Sequence, residues 1–197
     1  MRWKLYFCCA LLLCGGCQRN QTRQESNTND AAAQPTRTGG GEKVQLKVTS
    51  AAFEEGGAIP SEYTCDGRNV SPPLAWDGVP TGAKTIALIA DDPDAPRGTW
   101  VHWVLFNLPA AEKGLPEAIP ATETLASGAK QGKNDFGSAG YGGPCPPAGT
   151  HRYFFKLYAL DSQLDLQSGA TKDQLLKAMQ GRVVAEGQLM GRYRRAR

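Results

Sequence analysis

The sequence predicts a mostly β protein, an antiparallel β-sandwich with one or two short helices near the C-terminus. Two observations carry this prediction. Between residues 44 and 193, apolar side chains alternate with polar ones or form short continuous runs, which is typical of strands. Glycine and proline clusters separate these runs, while only residues 171–181 have a convincing helical period. Many strands with one clear helix favour two packed, mostly antiparallel layers.

The first half of the folded region predicts four strands. Residues 44–48 alternate apolar and polar side chains and predict a half-buried strand. The turn-rich segment 59–76 is expected to be an ordered loop that ends in a short strand at 74–76. The run KTIALIAD at 84–91 predicts a buried strand, and TWVHWVLFNLP at 99–109 is apolar at nearly every position. Both faces of this last strand should be covered, as in a central strand.

The second half predicts long connections followed by two strands. Residues 109–140 mix glycine, proline and polar residues, so at most short strands are expected there. HRYFFKLYALD at 151–161 predicts a strand whose apolar face is formed by Tyr153, Phe155, Leu157 and Ala159. Alternation over 183–193 predicts a final strand, although a helix over 183–190 remains open.

The helix is predicted over TKDQLLKAMQG, residues 171–181. Thr171 can cap its N-terminus, and Gly181 is suited to end it. Leu175, Leu176 and Met179 form the apolar stripe that we expect to face the sheet.

The N-terminus predicts export. Residues 1–16 have a basic start and an apolar stretch at 5–13, shorter than the roughly 20 residues that a membrane-spanning helix needs, so a secretory signal is expected. Two glycines precede Cys17, which resembles a bacterial lipobox with Cys17 as the lipidated residue. Cys14 departs from that pattern, because leucine is usual there. A plain secretory signal with an incidental cysteine is the alternative.

A tether and one domain are predicted to follow the signal. Residues 17–41 contain no large apolar side chain, so they should form a disordered tether. Residues 42–197 then form a single domain. The predicted location is the bacterial cell envelope, on the periplasmic side, with the lipid in the membrane. Gln18 is not the aspartate that retains lipoproteins in the inner membrane of enteric bacteria, which favours the outer membrane.

The remaining cysteines predict a disulfide. Once the signal is removed and Cys17 is lipidated, only Cys65 and Cys145 are left as free thiols. Two thiols in an oxidising compartment are expected to pair, and closing such a loop would stabilise the fold by roughly 4 kcal/mol. Two buried free thiols are the alternative. Cys65 and Cys145 do not have metal-ligand spacing, so neither a structural zinc site nor another cofactor is expected.

The charge excludes a broad nucleic-acid surface. The formal net charge is +3, and removal of the signal's two basic residues lowers it to about +1. The C-terminal RYRRAR is the only basic cluster, and it is expected to be a solvated tail. We therefore expect no nucleic-acid partner.

An acidic turn precedes the first of the chain's two histidines. Asp92 and Asp94 can bond to nearby backbone amides, and the prolines beside them stiffen the segment. The bond between Ala95 and Pro96 is a candidate cis peptide. His102 follows, just inside the next strand.

The second histidine, His151, begins a strand directly after GYGGPCPPAGT, residues 140–150. If the two histidine strands are neighbours, both rings and both loops meet at one end of the sandwich. Backbone amides of the glycine-rich loop and the Tyr153 hydroxyl would then help to form an anion pocket. We expect the acidic residues to orient the imidazoles and to raise their pKa values.

These motifs resemble one family. DPDAP, HWVLFNLP and GPCPPAGTHRYFFKLYAL are similar to the phosphatidylethanolamine-binding protein (PEBP) family, specifically its bacterial Raf kinase inhibitor-like branch. YTCDGRNVSPPLAW and AEGQLMGRY are similar to that branch as well, and the resemblance covers residues 44–194. It implies a β-sandwich with a small pocket for phosphate-like or carboxylate-like groups.

The resemblance also implies which residues bind the ligand. They are Asp92, Asp94, His102, Gly143, Pro144, Cys145, Pro146, His151 and Tyr153. Cys145 stands where animal members have a glycine, so a bridge to Cys65 would lie at the edge of the pocket. The extra helix that ends animal members is also expected to be absent here. Because of these two departures, the ligand size and partner preferences of the animal proteins are not carried over to this chain.

The leading prediction is a lipid-anchored envelope protein that binds a small anionic or phosphorylated ligand without catalysis. The alternative is a protein that inhibits a protease or modulates a kinase, with an unknown protein partner. A hydrolase or a metal enzyme is the third candidate. A hydrolase is disfavoured because no GxSxG or other well-placed nucleophile is found. A metal enzyme is disfavoured because a site of two histidines and one carboxylate usually lies in a deeper cleft with more carboxylates.

Overall fold

The computed structural model describes residues 44–196. The predicted signal peptide 1–16, the lipidation site Cys17 and the tether 17–41 lie outside the described residues. Within 44–196, none of the helices is long and apolar enough to cross a membrane.

The described residues form nine strands, one α-helix (α1, Lys172–Met179) and a short 3₁₀ turn at Ser61–Tyr63. The strands are β1 (Val44–Gln45), β2 (Lys47–Thr49), β3 (Leu74–Asp77), β4 (Thr85–Asp92), β5 (Trp100–Pro109), β6 (Gly114–Leu115), β7 (Lys130–Gln131), β8 (His151–Leu160) and β9 (Val183–Tyr193). A six-stranded sheet has the order β1-β9-β8-β4-β5-β7, and a three-stranded sheet has the order β2-β3-β6. The predicted mostly β sandwich is confirmed.

The main core lies between the two sheets. Trp76 and Leu115 from the smaller sheet pack with residues such as Leu88, Trp103 and Phe155 from the larger one. Strand β5 is buried along almost its whole length, as predicted for a central strand. A second cluster covers the other face of the large sheet, where it packs against α1.

Two details of the sheets differ from the prediction. The predicted strand at 44–48 is two short strands, because β1 pairs with β9 in the large sheet and β2 pairs with β3 in the small one. The chain crosses between the layers at the buried Leu46. Since β1 runs parallel to β9, the large sheet is mixed rather than purely antiparallel. The final segment is a strand along its whole length, which excludes the helical alternative.

Helix α1 begins and ends as predicted. The Thr171 side chain accepts from the Gln174 amide in a capping box, and Gly181 has φ +73° just after the helix. Leu175 and Met179 are buried, but Leu176 is 37% exposed, so its assignment to the buried stripe was wrong. Leu176 follows Leu175 by about 100° around the helix, which turns it away from the sheet.

Candidate functional site

The two histidines meet at one end of the large sheet. Strand β4 lies between β5 and β8 and is antiparallel to both, so its C-terminal end meets their first residues. Asp92 ends β4, His151 begins β8, and His102 lies near the start of β5. The topology therefore brings both histidines and the acidic turn together, as predicted.

A β-bulge orients His102. Ala90 pairs with Trp103 and Asp91 pairs with Val101, so His102 is opposite no residue of β4. An extra residue in one strand locally disrupts the ladder and redirects its side chain. The ring is only 4% exposed and packs edge-on against Tyr153, with the ring centroids 5.2 Å apart.

Gly142 holds His102 through both main chain and side chain. The Gly142 amide donates to the His102 carbonyl at 2.9 Å, and His102 Nδ1 lies 2.6 Å from the Gly142 carbonyl oxygen. Because a carbonyl oxygen only accepts, the proton of this bond belongs to Nδ1. Burial lowers the pKa of His102, and this effect exceeds the opposing effects of the Gly142 carbonyl and of Asp92. The predicted rise in pKa is therefore wrong for His102.

Asp92 holds the second histidine. Its Oδ2 lies 2.7 Å from His151 Nδ1, and its Oδ1 accepts from the Asp94 amide at 2.8 Å. Both partners of this hydrogen bond are buried, with side chains that are 5% (Asp92) and 8% (His151) exposed. The carboxylate thus fixes the His151 ring with Nδ1 as the donor, as predicted for an acidic residue that orients an imidazole.

Asp94 has a different role from the one predicted. It accepts from the Arg152 backbone amide and from the Arg152 guanidinium, at distances from 2.6 to 2.9 Å. These bonds lower its pKa to about 2. Asp94 does not line the cavity described below; it ties the acidic turn to β8.

A cavity of about 420 Å³ opens between the two imidazoles. Its polar and charged lining consists of Asp92, Arg97, His102 and His151. Cys145 and six further residues complete the wall: Ala95, Pro96, Trp100, Phe136, Pro146 and Pro147. The volume is within the range of small-molecule sites, which is roughly 300–1,000 Å³.

Sequence reasoning missed several residues of this wall. Arg97 follows the acidic turn directly and makes no hydrogen bond or ion pair with any other residue in 44–196. Arg97 directly follows Pro96 of the acidic turn, and this position in the sequence could have identified it as a site residue. Phe136 packs edge-on against Trp100 and His102, with centroids 5.5 and 5.4 Å away. No sequence signal identified Phe136, because it lies in a connection without periodicity.

The glycine- and proline-rich loop 140–150, here the pocket loop, contributes less than predicted. The Gly142 and Gly143 amides are already bonded, to the His102 carbonyl and to Asn69 Oδ1. Only Cys145 and Pro146 of the predicted segment 143–146 line the cavity. Gly143 faces residues 61–69, here the 60s segment, where a Cβ would come within 2.5 Å of the Tyr63 carbonyl oxygen. Gly143 and Pro144 therefore shape the loop without reaching the cavity.

Two buried donors near His102 have no partner among the described residues. They are the Tyr153 hydroxyl and Trp100 Nε1. Burial and the nearby Asp92 carboxylate raise the pKa of Tyr153, so its hydroxyl stays protonated at neutral pH. Tyr153 does not line the cavity; it packs against His102 from the core. A buried donor without a partner lowers the stability of the folded state by about 1–3 kcal/mol. Such groups are uncommon, and a functional role is one explanation for them.

The structure joins Cys65 and Cys145, with an S–S distance of 2.08 Å and a separation of 80 residues. The predicted bridge is thus present, and it lies at the edge of the cavity. The predicted cis peptide at Ala95–Pro96 is wrong, because every peptide bond in the described part of the chain is trans.

The carboxylate and one imidazole of the cavity are engaged in hydrogen bonds with protein groups. Residues 44–196 contain no group of three or more His, Cys, Asp or Glu side chains that could hold a metal ion. The Asp92 carboxylate accepts a hydrogen bond from His151 Nδ1, and Nδ1 of His102 donates to the Gly142 carbonyl oxygen.

Comparison with known proteins gives a consistent result. A family model described as phosphatidylethanolamine-binding protein matches residues 49–194. A UPF0098 protein from Methanothermobacter thermautotrophicus is 57% identical over 150 residues, which cover 76% of this chain and 99% of that protein. A UPF0098 protein from Aquifex aeolicus is 46% identical over 153 residues, 76% of this chain and 89% of that protein.

Solved structures are similar too. A crystal structure from Chlamydia trachomatis, described as a PEBP homologue, is 42% identical with a TM-score of 0.72 and covers 77% of this chain and 99% of that one. YbcL from E. coli, described as a new member of the mammalian PEBP family, is 34% identical with a TM-score of 0.71 and the same two coverages.

Proposed function

The chain belongs to the phosphatidylethanolamine-binding protein family, and from this premise we propose that it binds a small organic anion, phosphate-like or carboxylate-like, in the cavity between His102 and His151. The proposed activity is binding without catalysis. We further assign the chain to the bacterial Raf kinase inhibitor-like branch, on the motifs DPDAP and HWVLFNLP.

One observation carries this proposal: an unpaired guanidinium and two positioned imidazoles line a single cavity of about 420 Å³. Arg97 supplies a positive charge that no described carboxylate neutralises. A guanidinium binds carboxylate and phosphate oxygens with two parallel bonds, which suits an anion at the cavity mouth.

Calorimetry with O-phosphoethanolamine tests the proposal. We expect saturable binding that Arg97→Ala and His151→Ala each weaken by about tenfold or more, the effect of losing one charge-assisted hydrogen bond. Arg182→Ala is the matched control, because Arg182 bonds Ser162 near the opposite end of β8. Absence of binding by the unaltered protein, or equal weakening in all three variants, would refute the proposal.

We also propose that the protein is a lipoprotein of the bacterial cell envelope, anchored through Cys17 with the domain on the periplasmic side, in the outer membrane. The glycine pair before Cys17 and the apolar stretch 5–13 support the anchor. The Cys65–Cys145 bridge supports an oxidising compartment, where disulfides persist.

A further inference from the structure

A second charged depression, here the β9 depression, lies where β9 ends. Its volume is about 420 Å³, and Arg192, Arg194 and Thr150 line it together with four uncharged residues. None of its lining residues belongs to the cavity between the imidazoles. Two cationic side chains therefore share a depression that no acidic residue lines.

The charge of this depression is not neutralised within residues 44–196. Arg192 and Arg194 are exposed, and neither guanidinium makes an ion pair or a hydrogen bond there. Arg192 lies directly opposite Arg152 of β8, and like charges in that position are destabilising. Asp94 pairs with Arg152 alone, so the charge of Arg192 is left without a counterpart.

The extended backbone sets the spacing of the two guanidiniums. The Tyr193 hydroxyl and the Arg195 guanidinium both donate to the Asp66 carboxylate, so residues two apart share a side of the chain end. Arg192 and Arg194 are also two residues apart, and they share the β9 depression. Residues two apart in extended backbone are separated by roughly 6.6 Å along one face.

This spacing matches a partner that is itself extended and carries carboxylates at alternate residues, because its side chains repeat at the same interval. Arg152 already makes such a contact, since its Nε and Nη2 donate to the two carboxylate oxygens of Asp94. A membrane surface is disfavoured, because binding to it uses exposed apolar side chains as well as cations. The exposed large apolar side chains of residues 44–196 lie outside the β9 depression: Val44, Phe136 and Leu176.

We propose that the β9 depression binds an extended acidic peptide segment of a partner protein, with two carboxylates at alternate positions paired to Arg192 and Arg194. This interaction is independent of the cavity and of its ligand. Exposed ion pairs are individually weak and are screened by salt, so the contact is weak and sensitive to ionic strength.

Two peptides of equal charge test the proposal. Both consist of glycine and serine with blocked termini and two glutamates, which are separated by one residue in the first peptide and adjacent in the second. Adjacent side chains of an extended peptide point to opposite faces, so only the first can reach both guanidiniums. In NMR titrations of the ¹⁵N-labelled protein at low salt, we expect the first peptide to bind about threefold tighter, the effect of one exposed ion pair. Equal affinities, or no binding of either peptide, overturn the proposal.

Variants assign the preference to the two arginines. Arg192→Gln and Arg194→Gln should each weaken the first peptide about threefold and abolish its advantage over the second, while the double variant should lose about tenfold. Arg182→Gln is the matched control, because it removes the same charge near the opposite end of β8. Arg97→Gln separates the two sites and should keep the preference. Loss of the preference in either of these two variants overturns the proposal. So does binding to phosphatidylglycerol vesicles that is tighter than peptide binding and is lost in Arg192→Gln and Arg194→Gln, because the partner would then be a membrane.

Discussion

Asp92 and Asp94 are separated by one proline, yet their carboxylates have different partners. Asp92 is almost fully buried and orients His151 at the cavity. Asp94 accepts three hydrogen bonds from Arg152, which lies in β8. The turn that begins where β4 ends explains the difference, because residues two apart in a continuous strand would lie on the same face. One residue therefore serves the cavity and the other serves the stability of the turn.

Replacing Asp94 should reduce stability in a pH-dependent way. Arg152 lowers the pKa of Asp94 from 3.8 to about 2, so the ion pair stabilises the folded state above pH 3.8 and loses its effect as the pH falls through 2. Arg152 is 50% exposed, and solvent screening limits the expected loss in Asp94→Asn at pH 7 to about 1 kcal/mol. Urea denaturation should show this difference at pH 7 and a much smaller one at pH 2. Asp165→Asn, at an exposed position, is the control; a difference that persists at pH 2 would contradict the assignment.

The positions of site residues were predictable from the sequence where a residue type with functional chemistry is rare in the chain. Two histidines in the whole chain, each following a loop rich in glycine and proline, were enough to predict that the rings converge. The direction of the His102 pKa shift was not predictable, because it depends on how deeply the ring is buried. Phe136 was missed for a related reason: only the folded turn around Asn134 brings its ring to His102.

At the scale of elements, the β-bulge in β5 and the pocket loop together form the site. The bulge turns His102 out of the regular ladder, and Gly142 then bonds its main chain and its ring. The pocket loop is held in turn by the 60s segment. The Cys65 amide donates to the Pro144 carbonyl, and the Tyr141 hydroxyl donates to the Tyr63 carbonyl. Alternation patterns predict strands but not bulges, so the sequence could not show this arrangement.

Removing the disulfide should destabilise the domain more than it alters the cavity. In the Cys65→Ser/Cys145→Ser double variant we expect the free energy of unfolding to fall by about 2–4 kcal/mol, since an 80-residue loop is released in the unfolded chain. The hydrogen bonds between the pocket loop and the 60s segment remain, so affinity for O-phosphoethanolamine should stay within about threefold. Urea denaturation and calorimetry measure the two effects.

Reduced wild-type protein is the matched control for this double variant, because it lacks the same bond without any substitution. It should unfold at the urea concentration of the double variant. An unaltered midpoint in both samples would mean that the bridge does not stabilise the folded state.

At the scale of the whole molecule, hydrophobic patterning determined the architecture. The apolar runs at 84–91 and 99–109 predict strands that are buried on both faces. In the structure, the small sheet packs on one face of these strands and α1 packs on the other. The exchange of the first strand between sheets was not predictable, since β1 and β2 share one alternating pattern. Side-chain alternation specifies which residues are buried, but it does not specify which layer buries them.

Anchoring through Cys17 makes a prediction about the whole chain in its cell. A lipid on Cys17 should keep the protein with the membrane fraction and in the detergent phase after Triton X-114 separation, because acyl chains supply about 0.8 kcal/mol per buried CH₂. Cys17→Ser removes the thiol that carries the lipid, so we expect the protein to move to the aqueous phase. Cys14→Ser is the matched control, since Cys14 lies inside the predicted signal and should leave the distribution unchanged. If Cys14→Ser instead of Cys17→Ser released the protein, the lipidated residue would be Cys14; if neither variant changed its distribution, the chain would not be a lipoprotein of the kind proposed.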